Sequence, residues 1–516
     1  MELPEHPRRR YRSSYYEFAQ SAFPPSNTSA TTIPEHFDGS IHGPHADVAS
    51  GFVDIYQTLT PRQVGVIAVG SAIGTGLMIG TARALTLSGL WLGCESYTTH
   101  LWHHLTGNRY WLKYAIVTPN QLTAAALIIS YWVDADWINP GVWISILLFV
   151  IVLVNFVHHG LPSRVEFYVS SLKLIIMSAL IVLSMVIALG GGPDHDARGF
   201  RYWNTSGVFG IFGARVNRGL LEKFLDICAT MSSATFAFIG SERSGIMVRQ
   251  PNIRKAISRA IKHTFYRVLV FHLLGITLLG MLVPRDSTRL SFARGSAKGA
   301  AASPFVAAIY LSGIAVVPDI LNGCILLFVL SIANYDLYLT TKAMCDLSLK
   351  GRAPSFLHRT NRRGVPIYAL GVSASVATLA YANVASDSQL VFGYFVNTVT
   401  MLGLLVWISI LITHIAFVRA RKAQGIPDDA LTFRARFGLV GTWLGLILCL
   451  FISMTMILGT FTFDNNGKLK FHYQSAAASF VGLPIFLILI VGYKIVVRSK
   501  RVNSRNADMW TGKLDS

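Results

Sequence analysis

From about residue 60 onward the chain alternates between long apolar runs and short polar joints. Eleven runs reach the roughly 20 residues that a helix needs to cross the hydrocarbon core of a bilayer. They centre on 63–82, 111–133, 142–159, 167–189, 224–247, 265–283, 314–340, 366–385, 391–417, 437–460 and 476–497. None shows the two-residue alternation of a barrel strand, and an open strand would leave backbone groups unpaired in lipid, so the runs predict helices. The pattern divides the chain into three parts. Residues 1–60 are polar and read as a disordered cytoplasmic tail, residues 61–497 form a transmembrane domain, and residues 498–516 make a short cytoplasmic tail. The expected class is an all-α polytopic membrane protein.

Composition agrees with this pattern. Only 14% of the 516 residues are charged and 52% are hydrophobic, where a soluble domain carries about 25% charged residues. The net charge of +19 would suggest nucleic acid in a soluble protein. Here the basic residues sit in the joints: Arg249, Arg254, Lys255, Arg259 and Lys262 in one, Lys342 to Arg363 in the next, then Arg419, Arg421, Lys422, Arg434 and Arg436. Such joints face the cytoplasm and set orientation, so the expected partner is the lipid bilayer and not nucleic acid. The cysteines Cys94, Cys228, Cys324, Cys345 and Cys449 form no CxxC pair and read as small packing residues.

Counting spans backwards from the basic joints exposes a conflict. The run 111–133 must begin in the cytoplasm, so the run 63–82 would begin outside. Its tail, with Arg8, Arg9, Arg10 and Arg12 and no secretory signal, would lie outside as well. Either the first span is inverted relative to expectation, or one span is missing from this sequence.

The run 63–82 contains GSAIGTGLMIG, with Gly70, Gly74, Gly76 and Gly80 in eleven residues. The pairs Gly70-x3-Gly74 and Gly76-x3-Gly80 fit close helix packing through small residues. They fit a broken helix equally well. Ile73, Gly74, Thr75 and Gly76 can leave helical geometry cheaply, which turns backbone N–H groups at the start of a half-helix toward an anion such as an amino-acid carboxylate. A second interrupted run, FAFIGSERSG, covers Phe236, Ala237, Phe238, Ile239, Gly240, Ser241 and Glu242. Its unwound carbonyls suit a substrate ammonium, and Phe236 and Phe238 either gate the ligand or pack in the core. Two interrupted helices in matching places are a pointer to a transporter site.

Ionisable residues inside spans are costly to bury unpaired. Lys173, Glu242, Asn334, Asp336, His272 and His414 draw attention, the two histidines as structural groups. No phosphate-binding loop, metal-spaced His/Cys set or selectivity-filter loop is present, and no nucleophile, base and orienter can be assembled. The expectation is a transporter without cofactor or metal, not an enzyme, driven by an ion gradient or by exchange.

Several blocks resemble a known family. GSAIGTGLMIGTARAL, YAIVTPNQLTAAALIISYW, FAFIGSERSGI, SIANYDLYLTTK, GRAPSFLHRTNRRGVPIYAL and AQGIPDDALTFRARFG are similar to fungal amino acid permeases, the yeast amino acid transporter group of the amino acid–polyamine–organocation superfamily. The similarity runs from about residue 57 to the C-terminal TGK. It implies twelve helices with a five-plus-five inverted repeat plus two, and proton-coupled uptake of neutral amino acids, broad in range, across the plasma membrane. It also implies a carboxylate site at Ile73, Gly74, Thr75 and Gly76 and an ammonium site at Phe236 to Ser241. Lys173 matches a fifth-helix lysine that replaces a sodium ion in related transporters. Lys173 and Glu242 are thus the expected proton-coupling residues.

The chain departs from that family in three places. Family members carry a longer stretch between TARALTLSG and YWLKYAI that holds the second helix, which is the span that the charge count finds missing. VRQPNIRK replaces a GE…NPRK pattern. Arg243 beside Glu242 is unusual. Residues 1–60 also lack lysine, so ubiquitin-ligase machinery would not act through that tail. Two alternatives stay open: a transport-defective or mis-spliced permease lacking helix two, and a non-transporting nutrient sensor of the same fold.

Overall fold

The computed structural model describes residues 107–133, 137–157, 161–202, 220–240, 268–284, 303–349, 353–385, 388–426, 438–463 and 469–497, with single positions elsewhere and a short stretch around 66–80. The N-terminal tail and residues 81–106, where the missing span would fall, lie outside the described residues. All the described residues belong to one compact unit, Ser50–Ser516.

The unit is built from helices: α1 (Gly107–Ile129), α2 (Pro140–Val157), α3 (Leu161–Ala188), α4 (Leu220–Phe238), α5 (Gly275–Leu282), α6 (Pro304–Leu311), α7 (Val317–Leu349), α8 (Ile367–Ala377), α9 (Ser388–Ala423), α10 (Gly438–Leu458), α11 (Tyr473–Phe480) and α12 (Gly482–Val497). Among the described residues, six helical stretches are long and apolar enough to cross a membrane. Several expected runs are interrupted. The run 265–283 enters through a π-helical turn, Val268–Leu274, before α5. The run 366–385 passes from α8 through a 3-10 turn, Thr378–Tyr381, into a last α-turn, Ala382–Ala385. An antiparallel hairpin of two short strands, β1 (Phe461–Phe463) and β2 (Leu469–Phe471), precedes α11, with Phe461 opposite Phe471.

The centre of the bundle is α7, which packs on α1, α2, α3 and α8, while α9 packs on α1, α4 and α10. The peripheral helices differ in composition of surface rather than of sequence. Phe149 and Leu153 on α2, and Val440, Leu444, Ile447 and Leu450 on α10, are exposed. Such stripes are what a helix offers to lipid, where apolar contact carries no penalty. The main core brings together Ile73, Leu77 and Met78 of the first run, Val117 and Ile128 of α1, Met177 of α3, Phe236 of α4, Phe305 of α6, Phe328 of α7 and Phe392 of α9. The glycine-rich run therefore sits in the middle of the molecule.

Candidate transport site

Helical residues flank a bend at Ile73, whose N–H bonds Gly70 O at 3.0 Å. Thr75 is helical and buried, and a π-helical turn follows over Gly76–Gly80. Such a turn is a common companion of functional sites. Gly74 lies outside the described residues. The packing reading of Gly70 has direct support: a Cβ built there would lie 2.3 Å from Ser170 Cβ and 2.7 Å from Ser170 Cα. No side-chain rotation relieves a clash with those atoms, so glycine lets the first run lie directly on α3. On the other side, Ser303, just before α6, donates from Oγ to Met78 O at 2.7 Å.

The second interrupted run ends as helix α4 at Phe238, and Gly240 follows with φ +114°. That backbone conformation is one that side chains rarely tolerate. Phe236 is buried and meets Phe392 edge to face at 6.3 Å. The carbonyls at this helix end have partners in the protein. Phe236 O accepts from Ile239 N at 3.2 Å, and Ala237 O lies 3.1 Å from His272 Nε2. Because the carbonyl only accepts, Nε2 carries the proton. His272 also stacks on Phe238 at 5.1 Å. The histidine thus acts as a helix-end cap supplied by the π-helical turn, which satisfies a carbonyl that the break would leave orphaned. Ile239 packs against α9, where a Cβ at Gly403 would come 2.9 Å from Ile239 Cδ1. Ser241 and Glu242 lie outside the described residues.

Lys173 is fully buried on α3 and pairs with Glu166, its Nζ 3.0 Å from Oε1. Ser170 Oγ donates to the same oxygen at 2.9 Å, and Ser331 Oγ of α7 donates to Oε2. The carboxylate thus receives three donors from two helices. Sequence reading passed over Glu166 because the apolar run was started one residue after it. The available signal was spacing. Ser163, Glu166, Ser170 and Lys173 recur at three to four residues and share one buried face of α3, as a 3.6-residue helix requires. Two more of the polar groups flagged in spans bridge neighbouring helices, Asn334 buried and His414 half-buried. Asn155 Nδ2 of α2 donates to Asn334 Oδ1 of α7 at 2.9 Å, and His414 Nδ1 of α9 lies 2.8 Å from Thr442 Oγ1 of α10.

A second polar hub lies beyond the end of α3, in the loop before residue 203. Arg198 is 5% exposed and donates to Leu311 O at 2.7 Å, to Ser312 Oγ at 3.1 Å and to Leu282 O at 3.3 Å, while pairing with Asp194. One guanidinium thereby closes the C-terminal ends of α5 and α6, where unpaired carbonyls collect. Partial desolvation works against the Asp194 carboxylate. The hydrogen bond and charge of Arg198 outweigh it and hold the carboxyl below its usual range.

A buried core is crossed by interrupted helices and carries a buried lysine–carboxylate hub beside the first interruption. A family model described as amino acid permease matches residues 102–506. The chain belongs to the amino acid permease family. The match begins after the glycine-rich run and the 83–101 stretch. The dicarboxylic amino acid permease of Saccharomyces cerevisiae is 37% identical over 526 residues, covering 95% of this chain and 84% of that protein. The proline-specific permease of the same organism is 33% identical, covering 86% of this chain and 76% of that protein. Its general amino acid permease AGP1 is 30% identical, covering 92% and 78%. This permease is an amino acid transporter and a multi-pass integral membrane protein with an all-α fold.

Proposed function

We propose that this permease is a proton-coupled symporter of the plasma membrane that takes up neutral amino acids over a broad range. The observation that carries the coupling is the buried Lys173–Glu166 pair, 3.0 Å apart and set against the first interrupted run through Ser170 and Gly70. A titratable pair that is shielded from water and adjacent to an interrupted helix can link protonation to substrate binding. In this reading, Ile73 to Gly76 hold the substrate carboxylate and the end of α4 at Phe236 to Gly240 holds the ammonium. The α4 contribution is narrowed by His272, which already occupies one lone pair of the Ala237 carbonyl. A carbonyl oxygen retains a second lone pair for a ligand.

The experiment is uptake of labelled amino acids by cells that lack their own permeases, at several external pH values and with a protonophore. Faster uptake in acid that the protonophore abolishes supports symport. Uptake indifferent to both, with protein at the cell surface, overturns it. A panel of neutral and dicarboxylic substrates tests the range. Preference for dicarboxylic substrates is a second reading, favoured by the 37% identity to a permease named for them. Gly74→Val should abolish uptake if the first break binds the carboxylate, and unchanged apparent affinity would refute that assignment.

A further inference from the structure

The Lys173–Glu166 arrangement is asymmetric in an informative way. The three bonds to Glu166 come from Ser170, Lys173 and Ser331. Two of the three donors are neutral hydroxyls and one is the ammonium. The carboxylate ties α3 to α7 through Ser331. It is 1% exposed. Among the described residues, the ionisable groups on the elements packed against α3 are Asp319, Cys324, Tyr335, Asp336, Tyr338, Lys342, Cys345 and Asp346 on α7, His272 on the π-helical turn and Tyr310 on α6. Helices α2 and α5 carry none. Among the described residues none of these groups forms an ion pair with Glu166, which pairs with Lys173.

We propose that Glu166 is the positioning residue for the coupling proton, a role that rests on the symport reading above. With Lys173 protonated and Glu166 ionised, the buried pair is neutral and α3 is held to α7 through Ser331. Removing the proton from Lys173 Nζ leaves one uncompensated negative charge on a carboxylate held only by two hydroxyls. An isolated charge in such surroundings is strongly unfavourable. The proton therefore leaves Nζ for water only when α3 and α7 part far enough to hydrate Glu166, and Nζ is left neutral until a proton arrives from the other side. Glu166 makes proton release conditional on movement of the helices. The close approach of Gly70 to Ser170 places the substrate-binding run against the same hub, so substrate and proton act on one joint.

The test measures pH-dependent uptake and substrate counterflow in cells expressing wild type, Glu166→Gln and Glu166→Asp, each normalised to surface protein. The expected result is that Glu166→Gln loses at least tenfold of the acid stimulation of uptake, a larger loss than in counterflow, which needs no net proton movement. Glu166→Asp, which restores a carboxylate, recovers pH dependence at reduced rate. An unchanged pH profile in Glu166→Gln overturns the proposal and leaves symport standing. A flat profile in the wild type overturns symport itself, and this role with it. Should Glu166→Gln fail to reach the surface, Glu166→Gln/Lys173→Met is measured instead. Surface arrival and counterflow without acid stimulation support the paired role, and a double variant that is equally absent from the surface overturns it.

Discussion

Two cation–carboxylate hubs hold α3 to the rest of the molecule, one inside the bundle and one just past its end. They are wired in opposite senses. At the inner hub the carboxylate of Glu166 is the centre and Lys173 is one of its spokes. At the outer hub the guanidinium of Arg198 is the centre, and Asp194 is a spoke beside Leu282 O, Leu311 O and Ser312 Oγ. A guanidinium stays charged at every working pH and presents several donors in a fixed fork. A carboxylate–ammonium pair can lose its proton. The molecule thus places a hub whose charge can change beside the first interrupted run, and a permanent one where helix ends need fixing.

The comparison breaks most sharply at Lys173. Lys173→Met leaves Glu166 buried without a counter-charge, and breaking a buried pair costs about 3–5 kcal/mol. Concentrative uptake should fall at least tenfold, and the solubilised protein should melt markedly earlier. Adding Glu166→Gln should recover much of the melting temperature, because it removes the stranded charge, without recovering acid-stimulated uptake. Equal melting temperatures for wild type and Lys173→Met would show that the inner hub does not depend on charge.

Glycine contacts sharpen the same contrast with smaller effects. Gly70→Ala forces a methyl group onto Ser170 Cβ and Cα, which cannot rotate away, so overpacking of about 1–3 kcal/mol is expected, with loss of uptake. Gly403→Ala meets the flexible side chain of Ile239, first its Cδ1 end at 2.9 Å and then Cγ1 at 3.3 Å. Its effect should be mild, and Ile239→Val, which deletes Cδ1, should relieve it. Thermal melts of the four proteins decide the matter. A Gly403→Ala defect as deep as that of Gly70→Ala would show that the break in α4 is as tightly packed as the first.

At the outer hub, Arg198→Ala strips the ends of α5 and α6 of their shared donor. Hydrogen bonds to a charged group are worth about 1.5–3 kcal/mol where buried, so a lower melting temperature is expected at every pH. Asp194→Asn should do less. Its carboxyl is held below the ordinary value of 3.8 in the folded protein. Stability from that shift is therefore present above the unfolded value and is lost as pH falls through the folded one. The difference in melting temperature between wild type and Asp194→Asn should stay constant across mildly acid pH and shrink only below about pH 4. A difference that already vanishes under the mild acidity that stimulates uptake would make the outer hub a pH-responsive element too.

Hydrophobic runs made the helices legible, because 20 apolar residues in a row have few alternatives. They did not reveal where helices are interrupted by local geometry. The π-helical turn at Val268–Leu274 and the pieces of the 366–385 run depend on tertiary packing that a window of hydropathy averages away. The site was legible in its backbone half, since glycine clusters advertise unusual conformations. Lys173 stood out as a lysine inside an apolar run and took its coupling role from resemblance, whereas Glu166 was missed because hydropathy sets the edge of a span and discards the charged residue there. His272 was read as structural, and its bond to Ala237 O fits that reading. Nothing in the sequence tied it to the end of α4, which lies 35 residues away along the chain.

The smallest effect is expected three residues beyond Arg198. Arg201 makes a two-pronged pair with Asp196 at 2.8 and 3.0 Å, geometrically better than many buried pairs, yet the partners are 52% and 41% exposed. The hydrogen bond and charge of Asp196 raise the Arg201 value above its usual one. The stability this linkage contributes is fully present below the unfolded arginine value, so titration of the guanidinium within the working range does not expose it. Water and salt screen it instead. Arg201→Ala should leave the melting temperature unchanged within error. Any small difference at low ionic strength should disappear at high salt, whereas the Arg198→Ala defect persists because its partners are carbonyls shielded from solvent. A salt-resistant loss in Arg201→Ala as large as that of Arg198→Ala would mean that geometry, not burial, ranks the ion pairs of this protein.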